Sequence, residues 1–164
     1  MADEQIQDDV TKNIRVAKME DICEEIEEKY ENKIKEIKAE IEEMKPIDDS
    51  RLSEELTRVI SRFQTYITRK EEEKMTLARI EKKKDDIHGE LYGKYKKNSQ
   101  VRFDSKGEVD EWINRDPKWL KIITHYENQK IICQYYQGII DFLIQKQWCI
   151  KYKIDIVKNN LGLN

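Results

Sequence analysis

Residues that form turns are scarce in this chain, whose 164 residues include only 5 glycines and 2 prolines. Chains with few turn residues and many strong helix formers are typically built from long helices. Charged residues make up 40% of the sequence, but the apolar residues recur with a helical period, which argues against disorder. We therefore predict a mainly α fold of long amphipathic helices, as one domain or one domain with an extension.

Cysteines and long apolar runs are also few. The three cysteines, Cys23, Cys133 and Cys149, are odd in number and widely spaced, which argues against a disulfide framework and suits a reducing compartment. No run approaches the 18 apolar residues of a membrane span, and residues 1–20 lack the apolar core of a secretion signal. We therefore expect a cytoplasmic protein without a membrane partner.

Patterns that support catalysis are missing as well. His88 and His125 are far apart in sequence, and His125 and Cys133 would lie about 12 Å apart along one helix, too far for one zinc ion. No glycine-rich phosphate loop surrounds Lys94 or Lys97. We expect a protein that is not an enzyme and needs no metal or cofactor. A small DNA-processing enzyme is the weakest alternative.

The first predicted helix is acidic. Apolar residues at three- and four-residue steps favour an amphipathic helix over 19–45, which Pro46 ends. Its acidic face favours a solvated surface over a docking site for a basic partner. Residues 1–18 carry only a weak apolar stripe, so we expect a mobile or weakly helical N-terminal extension rather than a regular helical one.

A second, very long helix is predicted over about 50–93. Asp48, Asp49 or Ser50 can cap its start, because each offers a side-chain oxygen to the free N–H groups of the first turn. Its apolar stripe thins over 67–77, which favours a solvated or kinked middle.

The remaining segments are a loop and a third long helix. Residues 94–107 form the predicted loop, in which 101–103 can make a brief strand, and a short helix over 109–114 follows. Asp116-Pro117 is a strong helix start, and the helix continues to about residue 146. The segment 148–157 alternates apolar and polar residues, so helix and strand both remain possible, with helix favoured.

Lysines and tyrosines concentrate around the end of the second helix. The acids outnumber the bases by 15 to 8 between Asp3 and Lys45, whereas Leu91–Arg102 holds four bases and no acid. Cations for phosphates and flat rings for unstacked bases are what single-stranded DNA requires. The alternative is a solvated helix end whose lysines interact with the helix dipole. The candidate DNA-binding residues are Arg79, Lys82, Lys83, Lys84, Tyr92, Lys94, Tyr95, Lys96, Lys97 and Arg102.

The C-terminal segment carries too much apolar surface for a soluble monomer. A charged helical chain of this length buries little surface alone, so we expect self-association. Trp148 lies among lysines and can stack on a base, but such a tryptophan more often anchors a packed interface. The candidate interface residues are Tyr135, Ile139, Phe142, Trp148, Ile150, Tyr152 and Ile154.

An ordered set of short motifs resembles the recombination mediator family of tailed phages (UvsY-like proteins). In the last fifty residues the motifs are Arg115-Asp116-Pro117-Lys118-Trp119-Leu120-Lys121, Gly138-Ile139-Ile140-Asp141 and Lys146-Gln147-Trp148-Cys149-Ile150-Lys151. Upstream, the segments 19–22, 47–52, 79–81 and 91–95 resemble the family's acidic helix, connector, basic helix and tyrosine-bearing turn. Their order along the chain, not any single motif, carries the resemblance.

The resemblance implies a function in DNA recombination and repair. It implies a single-stranded-DNA-binding mediator that helps load a RecA-like recombinase onto DNA covered by single-strand-binding protein, in the cytoplasm of an infected bacterium. It also implies a closed ring of about six or seven subunits. The chain would comprise an extension (1–18), an acidic helix (19–45) and a mediator core (46–164), whose basic part ends near residue 107 and whose assembly part is 108–164.

The sequence departs from the family pattern at one place. His88-Gly89-Glu90 stands where the family tends to have basic residues just before its tyrosines, and the bases of this chain lie instead at 82–84 before them and at Lys94, Lys96 and Lys97 after. The resemblance therefore implies the class of ligand but not the individual contacts. The main alternative to the mediator is a structural coiled-coil or scaffold protein without a nucleic-acid partner, since Glu/Lys-rich helices also fit that class.

Overall fold

The computed structural model describes residues 2–98 and 106–162, and every regular element in this part of the chain is helical. The mainly α prediction is confirmed. Helix α1 spans Ala2–Met44, α2 spans Leu52–Asn98, α3 spans Lys106–Asn114 and α4 spans Pro117–Asn160, with a single 3-10 turn at Asp49–Arg51. Within the described ranges, no helix combines the length and apolar character needed to cross a bilayer.

Helix α1 is longer than the sequence pattern predicted. It runs through residues 2–18 without a break, where a mobile or weakly helical extension was expected. The segment contains no glycine or proline, so nothing in it stops the helix. The helix ends at Met44, directly before Lys45-Pro46, as predicted from the proline.

Helix α2 begins after a capped turn. The carboxylate of Asp48, one of the three candidate caps, accepts a hydrogen bond from the Ser50 N–H at 2.9 Å. The helix continues through 67–77, where Met75 is exposed, so the thinned stripe marks a solvated stretch of helix. It also passes Gly93 and ends at Asn98, five residues beyond the predicted end. The predicted strand at 101–103 lies outside the described residues.

Helix α4 begins as predicted and takes in the whole C-terminal segment. The Asp116 carboxylate accepts the Lys118 N–H at 2.8 Å, and Pro117 occupies the first helical position. The segment 148–157 is helical, as favoured over a strand. Gly162 follows the helix with a φ of +66°, the left-handed conformation that commonly ends helices.

The chain forms two compact units, each assembled from two separate segments. The first contains the start of α1, up to Asn32, and Leu77–Gln129; the second contains Lys33–Thr76 and Lys130–Asn164. The first unit has a small apolar core formed by Ile87, Leu91, Val109, Ile113 and Ile122, against which Ile80, Tyr92, Tyr95 and Trp119 pack. Among the buried apolar residues of the second unit are Ile37, Met44, Val59, Tyr66, Ile132, Tyr136, Ile139, Ile140, Leu143 and Ile150.

The second unit buries a charged side chain, that of Lys146 on α4. Its ammonium donates hydrogen bonds to the carbonyl of Met44 and to that of Pro46, the latter at 2.7 Å. It also lies 3.5 Å from a carboxylate oxygen of Glu55 on α2. A side chain from α4 therefore satisfies a carbonyl at the end of α1, which has no partner within its own helix.

A polar network also links α1 to α2 in this unit. The Tyr66 hydroxyl donates a hydrogen bond to the carboxylate of Glu40, and the Arg69 guanidinium donates to the same carboxylate at 2.9 Å. Burial, followed by the hydrogen bond to Glu40, raises the pKa of Tyr66 to about 12. The neutral form of this tyrosine is therefore favoured in the folded protein.

Candidate nucleic-acid interface

Five ring side chains from α2, α3 and the start of α4 meet in the first unit. His88, Tyr92 and Tyr95 follow one another at four- and three-residue steps and so share a face of α2. The His88 ring stacks on Tyr92 with centroids 6.4 Å apart and meets Trp119 edge-on at 5.3 Å. The Tyr95 ring lies 6.0 Å from that of Trp112. The structure thus joins the two predicted tyrosines to two tryptophans that were not predicted as site residues.

Lysines lie directly over this cluster. The Lys94 ammonium is 5.0 Å from the centroid of the Tyr95 ring, and the Lys96 ammonium is 5.5 Å from that of Tyr92. Trp112 is 49% exposed although it is a large apolar side chain. We call Tyr92, Lys94, Tyr95, Lys96 and Trp112 the aromatic–lysine surface. It combines exposed cations with a half-exposed aromatic ring, the two kinds of group that single-strand binding requires.

The aromatic–lysine surface is anchored at Tyr95. Its hydroxyl donates a hydrogen bond to Asp116 at 2.7 Å, and the Lys94 ammonium lies 3.6 Å from the same carboxylate oxygen. Burial, followed by the hydrogen bond to Asp116, raises the pKa of Tyr95 to about 12. The neutral ring is therefore held in place against the start of α4.

Lys97 is exposed at the end of α2, and no carboxylate among the described residues pairs with it. The same holds for Arg79, Lys82 and Lys83, which lie earlier on the helix. Lys84 differs, because its side chain is only 19% exposed and packs with its ammonium 4.2 Å from the centroid of the Tyr126 ring. It is therefore less available to a ligand than its neighbours.

The continuous helix separates the two groups of predicted lysines. Lys83 and Lys94 are eleven residues apart, which corresponds to about 16 Å along α2. Asp85, Asp86 and Glu90 lie between them. The structure therefore does not bring 82–84 and 94–97 together as one patch. Arg102, the last predicted cation, lies outside the described residues.

The departure at His88-Gly89-Glu90 is explained by local packing. His88 is a member of the ring cluster, with its Nε2 3.5 Å from a carboxylate oxygen of Asp110. Glu90 accepts a hydrogen bond from the Lys118 ammonium. These residues thus hold α3 and the start of α4 against α2.

The candidate interface residues of the second unit fall into three groups. Ile139 and Ile150 are 0% exposed, so they are core residues of this unit and offer no surface to another subunit. Tyr135, Phe142 and Ile154 are partly buried. Trp148 and Tyr152 are 66% and 69% exposed, so they present apolar surface in the single chain. An open groove of about 530 Å³ is lined by Ile41, Ile131, Gln134, Tyr135, Gly138 and Phe142.

Trp112 and Trp119 are the site residues that sequence reasoning missed. Trp119 lies inside a motif of the resemblance, but its contact with His88 depends on tertiary structure.

In the described part of the chain, no three His, Cys, Asp or Glu side chains lie close enough together to hold a metal ion.

The chain was compared with protein-family models, with curated proteins and with solved structures, and none of them matches. Its function must therefore be inferred from its own side chains.

Proposed function

We propose that this protein binds single-stranded DNA through the aromatic–lysine surface and acts as a recombination mediator. The observation that carries this proposal is the placement of two lysine ammoniums over the rings of two tyrosines, beside a half-exposed tryptophan. Aromatic rings stack on bases at about 1–3 kcal/mol each, and lysines neutralise phosphates without reading sequence. Such a surface would bind single strands in preference to duplex DNA, whose bases are already stacked.

The motif Arg115–Lys121 supports the link to mediators. Asp116 of this motif anchors Tyr95, Trp119 contacts His88 and Lys118 pairs with Glu90. One of the segments in the family resemblance thus anchors the aromatic–lysine surface. As a mediator, the protein would hold the strand while a RecA-like recombinase replaces the covering single-strand-binding protein.

Self-association is the second part of the proposal. One aromatic–lysine surface offers few contacts, so its affinity for DNA is weak. A ring of about six or seven subunits multiplies these contacts on one strand and raises affinity by avidity. The exposed Trp148 and Tyr152 supply apolar surface for such an assembly.

The first test is fluorescence anisotropy of a labelled oligo-dT across a salt series, with duplex DNA as the control. We expect preference for the single strand and an affinity that falls steeply with salt. The triple variant Lys94→Gln/Lys96→Gln/Lys97→Gln should lower the slope of log K against log salt by about 2, since each phosphate contact contributes about 0.7. The charge-matched control Arg62→Gln/Lys74→Gln/Lys158→Gln, in the second unit, should keep the parent slope.

The variant Trp112→Ala separates stacking from charge. It should weaken binding of oligo-dT by a factor of about 5 to 150, the equivalent of one lost stacking contact, and leave the salt slope unchanged. If the parent protein binds no single strand at low salt while light scattering shows an intact oligomer, the mediator proposal is wrong and the scaffold function is favoured.

Mediator activity itself needs a separate assay. The protein should accelerate loading of a RecA-like recombinase onto oligo-dT covered by single-strand-binding protein, followed by recombinase ATP hydrolysis. The Lys94/Lys96/Lys97 variant should lose this acceleration, and the second-unit control should retain it. DNA binding without acceleration would limit the function to strand binding.

A further inference from the structure

We propose that Lys29, Lys83 and Lys121 form a second phosphate-binding site around His125, which holds a phosphodiester group of the same bound strand. We call it the His125 site. The inference rests on the proposed DNA-binding function and extends it to a surface outside the aromatic–lysine surface. Lys29 and Lys121 were not among the candidate DNA-binding residues, and Lys83 was.

Three helices of the first unit meet at His125. The Tyr30 ring of α1 meets the His125 ring edge-on, with centroids 6.1 Å apart. One residue further along α4, the Tyr126 ring lies under the ammonium of Lys84 on α2 at 4.2 Å. These two contacts bring α1 and α2 to the same level of α4.

The three lysines are close in sequence to the residues of these contacts. Lys29 precedes Tyr30, Lys83 precedes Lys84, and Lys121 lies one helical turn before His125. All three lysines are exposed, and none is in an ion pair with another described residue. Three exposed lysines from three different helices therefore lie near one half-buried imidazole.

The protonation of His125 reflects this arrangement. Burial is the largest cause that lowers its pKa, and the positive charges of Lys121, Lys29 and Lys83 lower it further. The charged groups that act on this imidazole, from its own helix and from α1 and α2, are thus all cationic. Beside the site, the Tyr126 hydroxyl donates a hydrogen bond to Glu81 on α2 at 3.2 Å, and this carboxylate forms no ion pair with the three lysines.

Phosphate is the ligand class that this chemistry fits. Lysine ammoniums act as flexible point charges toward phosphate oxygens, whereas planar carboxylates are better matched by the fork of an arginine. A phosphate held by the three ammoniums would lower their mutual repulsion. Its negative charge would also favour the imidazolium form of His125.

The position of the site suggests a path for the strand. Lys83 and Lys94 are eleven residues apart, so they lie on nearly the same face of α2 and about 16 Å from each other. Lys118, which pairs with Glu90, lies between the two sites on α4 and one turn from Lys121. A strand of about 4–16 nucleotides, the usual length held by one single-strand-binding groove, can reach both sites.

The test is a histidine NMR titration of the full-length protein, since the chain has only two histidines, His88 and His125. Saturating oligo-dT should raise the pKa of His125. In the triple variant Lys29→Gln/Lys83→Gln/Lys121→Gln, the pKa of His125 should already be higher without DNA and should not change when DNA is added. Circular dichroism verifies that the exposed substitutions leave the helices intact.

Oligo-dT anisotropy gives an independent readout. The same triple variant should lower the salt slope by about 2 and therefore the affinity by about a hundredfold near 0.1 M salt. The control Arg62→Gln/Lys74→Gln/Lys158→Gln removes the same charge and should change neither the slope nor the His125 pKa. If net charge alone were responsible, both triple variants would lower the salt slope and the affinity equally. That result would overturn the inference.

The outcomes separate this inference from the proposed function. If the protein binds oligo-dT but the pKa of His125 and the affinity of the triple variant do not change, the His125 site is wrong and the DNA-binding function stands. If oligo-dT does not bind at all, the proposed function and the strand path fail together. Inorganic pyrophosphate is then the probe: a rise in the His125 pKa would assign the site to a free phosphate compound, and no rise would overturn it.

Discussion

The Tyr95 hydroxyl and the Lys118 backbone N–H share one acceptor, the carboxylate of Asp116, at 2.7 and 2.8 Å. The residue that caps α4 therefore also fixes a ring of the aromatic–lysine surface. Because the two hydrogen bonds use different oxygens of the carboxylate, both are made at once. Through this side chain, the cap of α4 and the position of the Tyr95 ring are coupled.

Asp116→Ala should destabilise the protein by about 2 kcal/mol, since it removes a helix cap and a side-chain hydrogen bond worth about 1 kcal/mol each. Tyr95→Phe removes only the second and should cost about 1 kcal/mol. Urea unfolding measures both values. In the anisotropy assay, Tyr95→Phe keeps the ring and should retain most affinity, whereas Asp116→Ala should not. Equal affinity in both variants would contradict the coupling.

Stability should fall as the pH rises from about 10 to about 12. In the folded protein the pKa of Tyr66 and that of Tyr95 are each raised to about 12. Burial is the largest cause in both cases. In this pH window the unfolded chain releases protons that the folded chain retains, so unfolding becomes more favourable. Urea midpoints between pH 8 and 11.5 measure the decline. The double variant Tyr66→Phe/Tyr95→Phe should show a shallower decline, and an identical curve would contradict the prediction.

Acid should weaken the fold through His125. Burial and the neighbouring lysines lower its pKa below the usual value, so below about pH 6.5 the unfolded state binds a proton that the folded state does not. The stability contributed by neutral His125 is therefore present above pH 6.5 and is lost as the pH falls below it. Urea unfolding of His125→Gln should show a smaller loss between pH 7 and pH 5 than the parent. A larger loss in the variant would exclude this origin.

Lys146→Met should be strongly destabilising, by about 3 kcal/mol, because it leaves the Glu55 carboxylate and two backbone carbonyls without their buried cation. Adding Glu55→Met should restore much of the loss, since the unpaired charge is then gone. The matched control is Lys153→Met on the same helix. Its partner Asp49 is exposed, so that substitution should cost less than about 1 kcal/mol. Unfolding free energies in urea compare the variants.

Trp148→Ser/Tyr152→Ser should lower the mass measured by light scattering and leave the helical content unchanged. These two side chains are mostly exposed in the single chain, so their loss affects an assembly more than the fold. Ile150→Ala is the contrasting variant: its side chain is fully buried, so it should destabilise the fold by about 2–5 kcal/mol. An unchanged mass for the double variant would exclude Trp148 and Tyr152 from the interface.

Local signals predicted the helix starts and stops well. Helix α1 ends just before Pro46, and α4 begins at Asp116-Pro117. Both boundaries could be predicted because a proline and a capping residue act on the backbone of adjacent residues. Gly93 was the exception. It was taken as the end of the second helix, but a glycine inside a helix costs only about 1 kcal/mol, which the packing of Leu91 and Tyr95 on either side can offset.

Side-chain neighbourhoods were less predictable. Tyr92 and Tyr95 could be singled out because they lie among lysines in sequence, but Trp112 reaches them only after α3 folds back onto α2. The apolar surface of Trp148, Ile150, Tyr152 and Ile154 suggested an interface, whereas the helix turns Ile150 into the core and Tyr152 to the surface. A period that fits both strand and helix does not decide which residues are buried.

The bonds of Lys146 to the carbonyls of Met44 and Pro46 join residues 102 and 100 positions apart. While the ribosome is still making the chain, Met44 emerges long before its partner exists, and the second unit lacks half of its core until α4 has been translated. Both units also combine early and late segments, so neither can be completed from the first half of the polypeptide. Folding of each unit is therefore expected to finish only after its later segment has been translated, with slow closure of these distant contacts. A stop codon before residue 146 would release a chain without a native second unit.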